Sequence, residues 1–475
     1  MVGLHRLPCE TPEAHKPSGT AEVSTRWVLP ATILGSSMGF IDGSVVNVAL
    51  PAMQRSLETS FGTMQWVANG YMLALASLIL LGGSAGDRLG RRRMFMIGLA
   101  GFGAASLACG LAPSASWLIA ARLLQGVAAA LLTPASLAII GAAYSGEARG
   151  PAIGTWAAAG ALTIALGPPL GGWLVDVVGW RSIFFINLPI AAVALLLAAK
   201  LPADRRTGAS APIDRSGALL AVLSLGLLSY GLFALGEGAR IQAVLAIAAA
   251  VPAAWLFIRT EARAEAPMMP LALFHNADFS GANALTVLLY AALGGALFLL
   301  PYLLIGAHGY SATAAGAAFL PFSAVMGLGS RWSGRLAERL GPRPLLIIGP
   351  SVAATGYAIL GFSAESASYW RGVLPGLIVL SIGMTICIAP LTTTVFDSTP
   401  AENSGTASGI NNAAARAGSL LAVAALGLAF GASGAGGVED AMLVRAYTVV
   451  MFAAAALAAF SAVTAAMTIK PRVAN

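Results

Sequence analysis

Gly83-Ser-Ala-Gly-Asp87-Arg88-Leu-Gly90-Arg91-Arg92 returns later in the chain as Gly334-Arg-Leu-Ala-Glu338-Arg339-Leu-Gly341-Pro-Arg343. The first glycine, the acid, its arginine, the last glycine and the last arginine recur at a constant offset of 251 residues. Each copy lies between two long apolar runs. A loop that repeats between apolar runs marks a membrane protein built from two related halves. The arginines alone have a plainer explanation, since basic residues collect on loops that stay inside the cell. The acid, the glycines and the recurrence need another.

Working outward, the 475 residues are 57% hydrophobic and only 10% charged, with a mean hydropathy of +0.80. Soluble domains carry roughly 25% charged residues. So much apolar surface must face lipid, which makes the chain a polytopic membrane protein. The net charge of +7 is therefore read by position, and no nucleic-acid partner is expected. Cys9, Cys109 and Cys387 have no metal or disulfide spacing. His5, His15, His275 and His308 fall in polar segments, so no metal site and no histidine relay are expected in the membrane. The first 26 residues lack the apolar stretch of a signal peptide and read as a polar tail.

A span needs about 20 apolar residues. About fourteen are read, at 27–51, 66–86, 94–112, 115–139, 152–174, 182–200, 216–236, 241–258, 280–304, 312–330, 345–363, 372–394, 405–430 and 446–468. The loops after odd-numbered spans carry one arginine each: Arg55, Arg181, Arg240, Arg371 and Arg445. The other loops and the tails are far more basic, as at Arg88, Arg91, Arg92 and Arg93, at Lys200, Arg205, Arg206 and Arg215, and at Arg331, Arg335, Arg339 and Arg343. Both termini are therefore expected in the cytoplasm. The repeated loop follows spans two and ten, whereas a six-plus-six duplication would put it after spans two and eight. Two extra helices thus lie between the halves. The expected order is a tail at 1–26, a six-helix bundle at 27–200, a linker with two added helices at 201–278, a second six-helix bundle at 279–469 and a tail at 470–475. A weaker echo, Gly150-Pro-Ala-Ile-Gly154 against Gly405-Thr-Ala-Ser-Gly409, has the same eight-helix spacing.

These residues, with four further motifs, carry a family likeness. The first span holds Ile41-Asp42-Gly-Ser-Val-Val-Asn47-Val-Ala-Leu-Pro51, the fourth Arg122-Leu-Leu-Gln125-Gly126, and the fifth Gly167-Pro168-Pro-Leu-Gly171-Gly172. Trp180-Arg181-Ser-Ile-Phe-Phe-Ile-Asn187-Leu-Pro189 leads into the sixth. Over nearly its whole length the chain resembles the 14-span drug/proton antiporters of the major facilitator superfamily. It departs from them at Ser44, where the family has threonine, at Ala85, where it has leucine, and after Arg416, where Ala417, Gly418 and Ser419 replace a glutamine and a glycine pair. The resemblance implies an all-α fold of two six-helix bundles plus two helices. It also implies alternating access and export of small amphipathic compounds against protons, from a bacterial plasma membrane. The expected partners are that substrate, protons and the lipid bilayer, with the chain acting as a monomer. No cofactor is expected, the proton gradient being the driving force. An uptake symporter, or an exporter of an endogenous metabolite or lipid, stays open on the same fold.

Asp42 is the one acid well inside a predicted span, and buried intramembrane charges are functional by default. It is read as a proton or substrate coupling residue, against the plainer reading of a structural carboxylate. On its own helix it shares a face with Met38, Val45, Val46 and Ala49, so apolar surroundings are expected. Arg122 and Gln125 share a face of span four and join it as coupling candidates. For Arg122 the alternative is snorkelling to the interface. The family likeness makes Gly83, Asp87, Arg88, Gly90, Arg91 and Arg92, with Gly334, Glu338, Arg339, Gly341 and Arg343, a cytoplasmic gate. Charge pairing, and a helix end facing the acid, would supply its physics. Gly167, Pro168, Gly171 and Gly172 are the antiporter-type motif, where proline breaks the backbone ladder. Asn47, Tyr71, Trp156, Tyr290 and Arg416 are candidate cavity residues, and Trp66 a further aromatic of that kind, although a lipid-facing or interfacial position is the commoner one for such aromatics. Lys16, Lys200 and Lys470 are the only lysines and none precedes Ser or Thr, so no Gly-Lys-Ser/Thr phosphate loop exists. An enzyme of the membrane interior would need more than one acid there.

Overall fold

The computed structural model describes residues 26–145, 148–202, 204, 214–265, 267–400, 403–430 and 440–471. Most of the N-terminal tail, the 205–213 loop and the side chain of Arg331 lie outside the described residues. The described residues contain thirteen helices long and apolar enough to cross a membrane, and a shorter apolar stretch, Ser182–Ala198, at the place read as span six.

In chain order the first half contains α1 (Val28–Ser56), α2 (Phe61–Leu89), α3 (Arg91–Gly110), α4 (Ala115–Ala143), α5 (Arg149–Val177), α6 (Ser182–Phe185) and α7 (Asn187–Ala198). The hairpin α8 (Arg215–Gly236) and α9 (Arg240–Glu261) follows. The second half contains α10 (Ala277–Tyr302), α11 (Ala312–Ala317), α12 (Leu320–Leu340), α13 (Pro342–Phe362), α14 (Leu374–Asp397), α15 (Ser404–Ala425), α16 (Gly427–Phe430) and α17 (Asp440–Thr468). Most helices run several residues past the apolar stretches read as spans. Hydrogen bonding continues until a turn residue stops it, as at Gly90, where φ is +104°, and Gly341, where φ is +75°. Span six breaks at Ile186, because Pro189 in the next turn has no N–H to continue the ladder. Span ten breaks between Ala317 and Leu320, just ahead of Pro321.

Connectivity fixes two ends. One carries Ser56, Phe61, Val177, Tyr302 and Ala312 and is called the Phe61 end; the other carries Leu89, Arg91, Ala198, Leu340 and Pro342 and is called the Asp87 end. Within the first half α2 and α3 pack on α4, and α1 packs on α5 and α7. Within the second, α13 packs on α14 and α17, and α10 on α15 and α17. The halves meet where α5 packs on α11 and where α2 packs on α15. The added hairpin is the least buried pair of helices, and α8 lies along the α2–α15 seam. Trp66 sits there against Tyr230 and Phe233, with centroids 6.4 and 5.8 Å away, so the expectation that it faces a cavity is corrected: the added hairpin covers it.

Candidate functional site

Helices α1 to α4 of the first half, with α6 and α7, converge on Asp42, which is 1% exposed at the middle of α1. Arg122 of α4 reaches across and forms an ion pair with Asp42 Oδ2. The same guanidinium donates to Gln125 Oε1 at 2.6 Å, and its Nε donates to the Val67 carbonyl at 3.1 Å. Gln125 Nε2 donates both to Asp42 Oδ1 at 3.0 Å and to Ser106 Oγ of α3 at 2.9 Å. Asn187, the first residue of α7, also donates to Ser106 at 3.3 Å. Tyr71 lies under the guanidinium, 4.4 Å from ring centroid to Cζ, and the Phe184 ring is 5.9 Å away. Asp42, Arg122, Gln125, Ser106 and Asn187 are all buried.

An isolated charge at mid-bilayer is costly, and pairing offsets that cost only when the remaining donors and acceptors are also satisfied. Here both carboxylate oxygens and three guanidinium bonds have partners. The expectation of apolar surroundings for Asp42 is corrected on this point. Its own helical face is apolar, but Arg122 and Gln125 approach from α4. The network also adds Ser106, which the sequence reading did not single out, and Asn187, which it quoted only as part of the motif leading into span six. The signal for both was a polar residue that apolar neighbours leave without an obvious partner.

Both copies of the duplicated loop make their contacts inside their own half. Asp87 pairs with Arg91 at 2.8 Å, one helical turn apart in sequence, and both are exposed. The N-terminus of α3 is capped not by Asp87 but by Asp204, which accepts from the Arg92 and Arg93 amides at 2.9 and 3.1 Å. Arg92 donates to the carbonyls of Ala198 and Ala199, at 3.2 and 2.7 Å. Its counterpart Arg343 donates to the Ala466 carbonyl at 2.8 Å. The last arginine of each motif thus binds the C-terminal end of the last helix in its half, where a cation meets the negative pole of the helix. Among the described residues Glu338 forms no ion pair.

The antiporter-type motif lies on the seam. A Cβ at Gly172 would collide with the backbone of Ala312 and come within 2.9 Å of Thr313 Cα, and one at Gly316 would collide with Pro168. Two glycines, one from each half, therefore let α5 and α11 touch backbone to backbone. Asp176, one turn further on α5, seals the contact. It accepts from the Ala312 and Thr313 amides at 3.2 and 2.7 Å and from Thr313 Oγ1 at 2.6 Å. The sequence reading ended span five at 174 and passed over this acid. Aromatic packing joins the halves at the same end: Phe61 of α2 lies 5.0 Å from Tyr302, 5.8 Å from Phe298 and 4.5 Å from Phe430 between centroids. Gln65 Nε2 donates to the Val423 carbonyl at 2.6 Å. Toward the Asp87 end α2 and α15 still touch at Leu80 and Gly409, but open space flanks Gly150, Gly154, Gly327 and Gly334.

Of the candidate cavity residues, Tyr71 joins the ion-pair network. Trp156 donates to Ser36 Oγ at 3.0 Å and packs edge-on against Phe40, which ties α5 to α1. Tyr290 accepts at its carbonyl from Ser419 at 3.0 Å. Arg416 of α15 lies within electrostatic reach of Tyr71 and Tyr290, on opposite sides of the seam. Asn47 is half-buried in α1.

A family model described as Major Facilitator Superfamily matches residues 32–423. The chain is 37% identical over 405 residues to the Multidrug resistance protein Stp of Mycobacterium tuberculosis (strain CDC 1551 / Oshkosh), covering 84% of this chain and 74% of that one. It is 38% identical over 423 residues to the Methylenomycin A resistance protein of Bacillus subtilis (strain 168), covering 87% of this chain and 90% of that one. The fold superposes with a TM-score of 0.68 on a POT family transporter in complex with thioalcohol conjugated peptide, at 12% identity and over 94% of this chain and 97% of that one. Paired loops, a seam between two helical halves and a match running through both make this chain a member of the Major Facilitator Superfamily, a transporter and not an enzyme.

Proposed function

We propose that the protein exports small amphipathic compounds, antibiotics among them, from a bacterial cell in exchange for protons, with Asp42 as the proton-coupling group. The buried Asp42–Arg122–Gln125 network carries this reading. Asp42 cannot gain a proton without weakening its pair to Arg122, so protonation and helix packing are linked through one contact. Arg122 also holds the α2 backbone at Val67, so loss of the pair is felt by the helix that lines the seam. The similarity to named resistance proteins supports the class of cargo. The well-packed Phe61 end and the more open Asp87 end support alternating access, with the Asp87 end and both termini facing the cytoplasm. Everted membrane vesicles test the proposal. Acidify the vesicle lumen, add a panel of antibiotics of differing charge, and follow dissipation of the pH gradient. Proton release driven by at least one compound is expected. A gradient indifferent to every compound, in vesicles shown to contain the protein, would overturn the reading.

A further inference from the structure

Arg416 carries a positive charge that no acid balances among the described residues. Asp42 and Arg122 neutralise each other, and both are occupied by bonds within the first half. Arg416 stands apart from them on α15. No acid lies within ion-pair distance of it among the described residues. Its Nε is buried and has no hydrogen-bond partner. Its side chain as a whole stays partly accessible, and the groups that act on it electrostatically are two phenols, Tyr71 from the first half and Tyr290 from the second. The neighbouring wall on the same helix pair is polar: Asn411 donates to Thr286 Oγ1 at 2.7 Å and to Asn283 Oδ1 at 3.3 Å.

A guanidinium in a low-dielectric site without a counter-charge is a costly arrangement, retained where a ligand completes it. Its planar fork suits a carboxylate or phosphate, which it binds through two parallel bonds. We infer that Arg416 is the recognition point for an anionic group on the exported compound, so that the preferred cargo is an amphipathic organic acid. The inference rests on the export reading above and narrows its substrate class.

An isosteric set isolates the charge: naphthylacetate, naphthylacetamide and naphthylmethylammonium. Their uptake would be measured in everted vesicles energised with an acidic lumen and buffered with gluconate, so that no small inorganic anion competes. The wild type should accumulate the acid at least tenfold faster than the ammonium compound. Arg416→Gln should erase that preference, the rate for the acid falling at least tenfold relative to the neutral amide measured in the same variant. Arg416→Lys, which keeps charge but not the fork, should fall between them. Proton-coupled transport that favours the ammonium compound, or an acid preference that survives Arg416→Gln in correctly folded protein, would overturn the inference and leave the export reading standing. Failure of all three compounds together with the wider antibiotic panel would overturn both.

Discussion

Asp42 cannot give up its charge without leaving Arg122 buried and alone. Removing one member of a buried pair costs about 3–5 kcal/mol, whereas replacing both with apolar residues of similar volume is often close to neutral. Asp42→Leu and Arg122→Leu should therefore each lower the thermal stability of the detergent-purified protein, and the double variant should recover much of the loss. Additive losses in that cycle would mean the two side chains are not energetically coupled. All three central residues were legible one by one, because a charge or amide inside an apolar run is conspicuous. Their meeting was not. Periodicity assigns residues to a face of their own helix, and Asp42 meets Arg122 across 80 positions of sequence. Ser106 is a small polar residue that an apolar span tolerates at low cost, so composition gave it no weight, and Asn187 was legible only as part of a family motif.

Between helices, the controlling contacts are the glycine crossing of α5 with α11 and the Asp176 bonds beside it. Gly172→Val puts methyl groups into the Ala312 backbone, so the halves must separate at the Phe61 end. Spin labels placed across that end should report longer distances, and transport should fall by tenfold or more. Asp176→Asn removes an anion from a helix N-terminus, an interaction of about 0.3–1 kcal/mol, and should shift the distances in the same direction more weakly. Short distances retained in Gly172→Val would show that the crossing does not hold the two halves together. The duplicated loop calls for a different experiment. An exposed pair such as Asp87–Arg91 is worth about 0–1 kcal/mol, so Asp87→Asn should barely alter the melting temperature. If the loop controls access between states, the same change should slow transport severalfold. Transport unchanged in Asp87→Asn would reduce the pair to a local fixture. The loop was legible because it repeats. The binding of Arg92 and Arg343 to the last helix of each half was not, since those carbonyls lie 106 positions away in the first copy and 123 in the second. Asp176 escaped because apolar content ends a span earlier than hydrogen bonding ends a helix.

Across the whole molecule, hydropathy gave the order of the apolar segments, thirteen of them long helices and one, Ser182–Ala198, shorter among the described residues, and the position of the repeated loop was the ground for expecting an added hairpin between the halves. What covers what did not follow from either. Trp66 read as a cavity aromatic because nothing in the sequence says that α8 lies on it. The same limit applies to the seam. On the alternating-access reading proposed above, two halves packed at one end and looser at the other are one member of a two-state equilibrium, and an imbalance of about 1.4 kcal/mol already means a tenfold excess of one state. In the proposed mechanism a proton acting at Asp42 would tip that balance, because Arg122 links the carboxylate to α2, one of the seam helices. The most direct test is the initial rate of substrate movement in proteoliposomes, measured with an imposed pH gradient and again at equal pH with substrate on both sides. For Asp42→Asn the account predicts that gradient-driven transport falls to background while substrate exchange at equal pH persists. A wild-type gradient-driven rate in Asp42→Asn would contradict it.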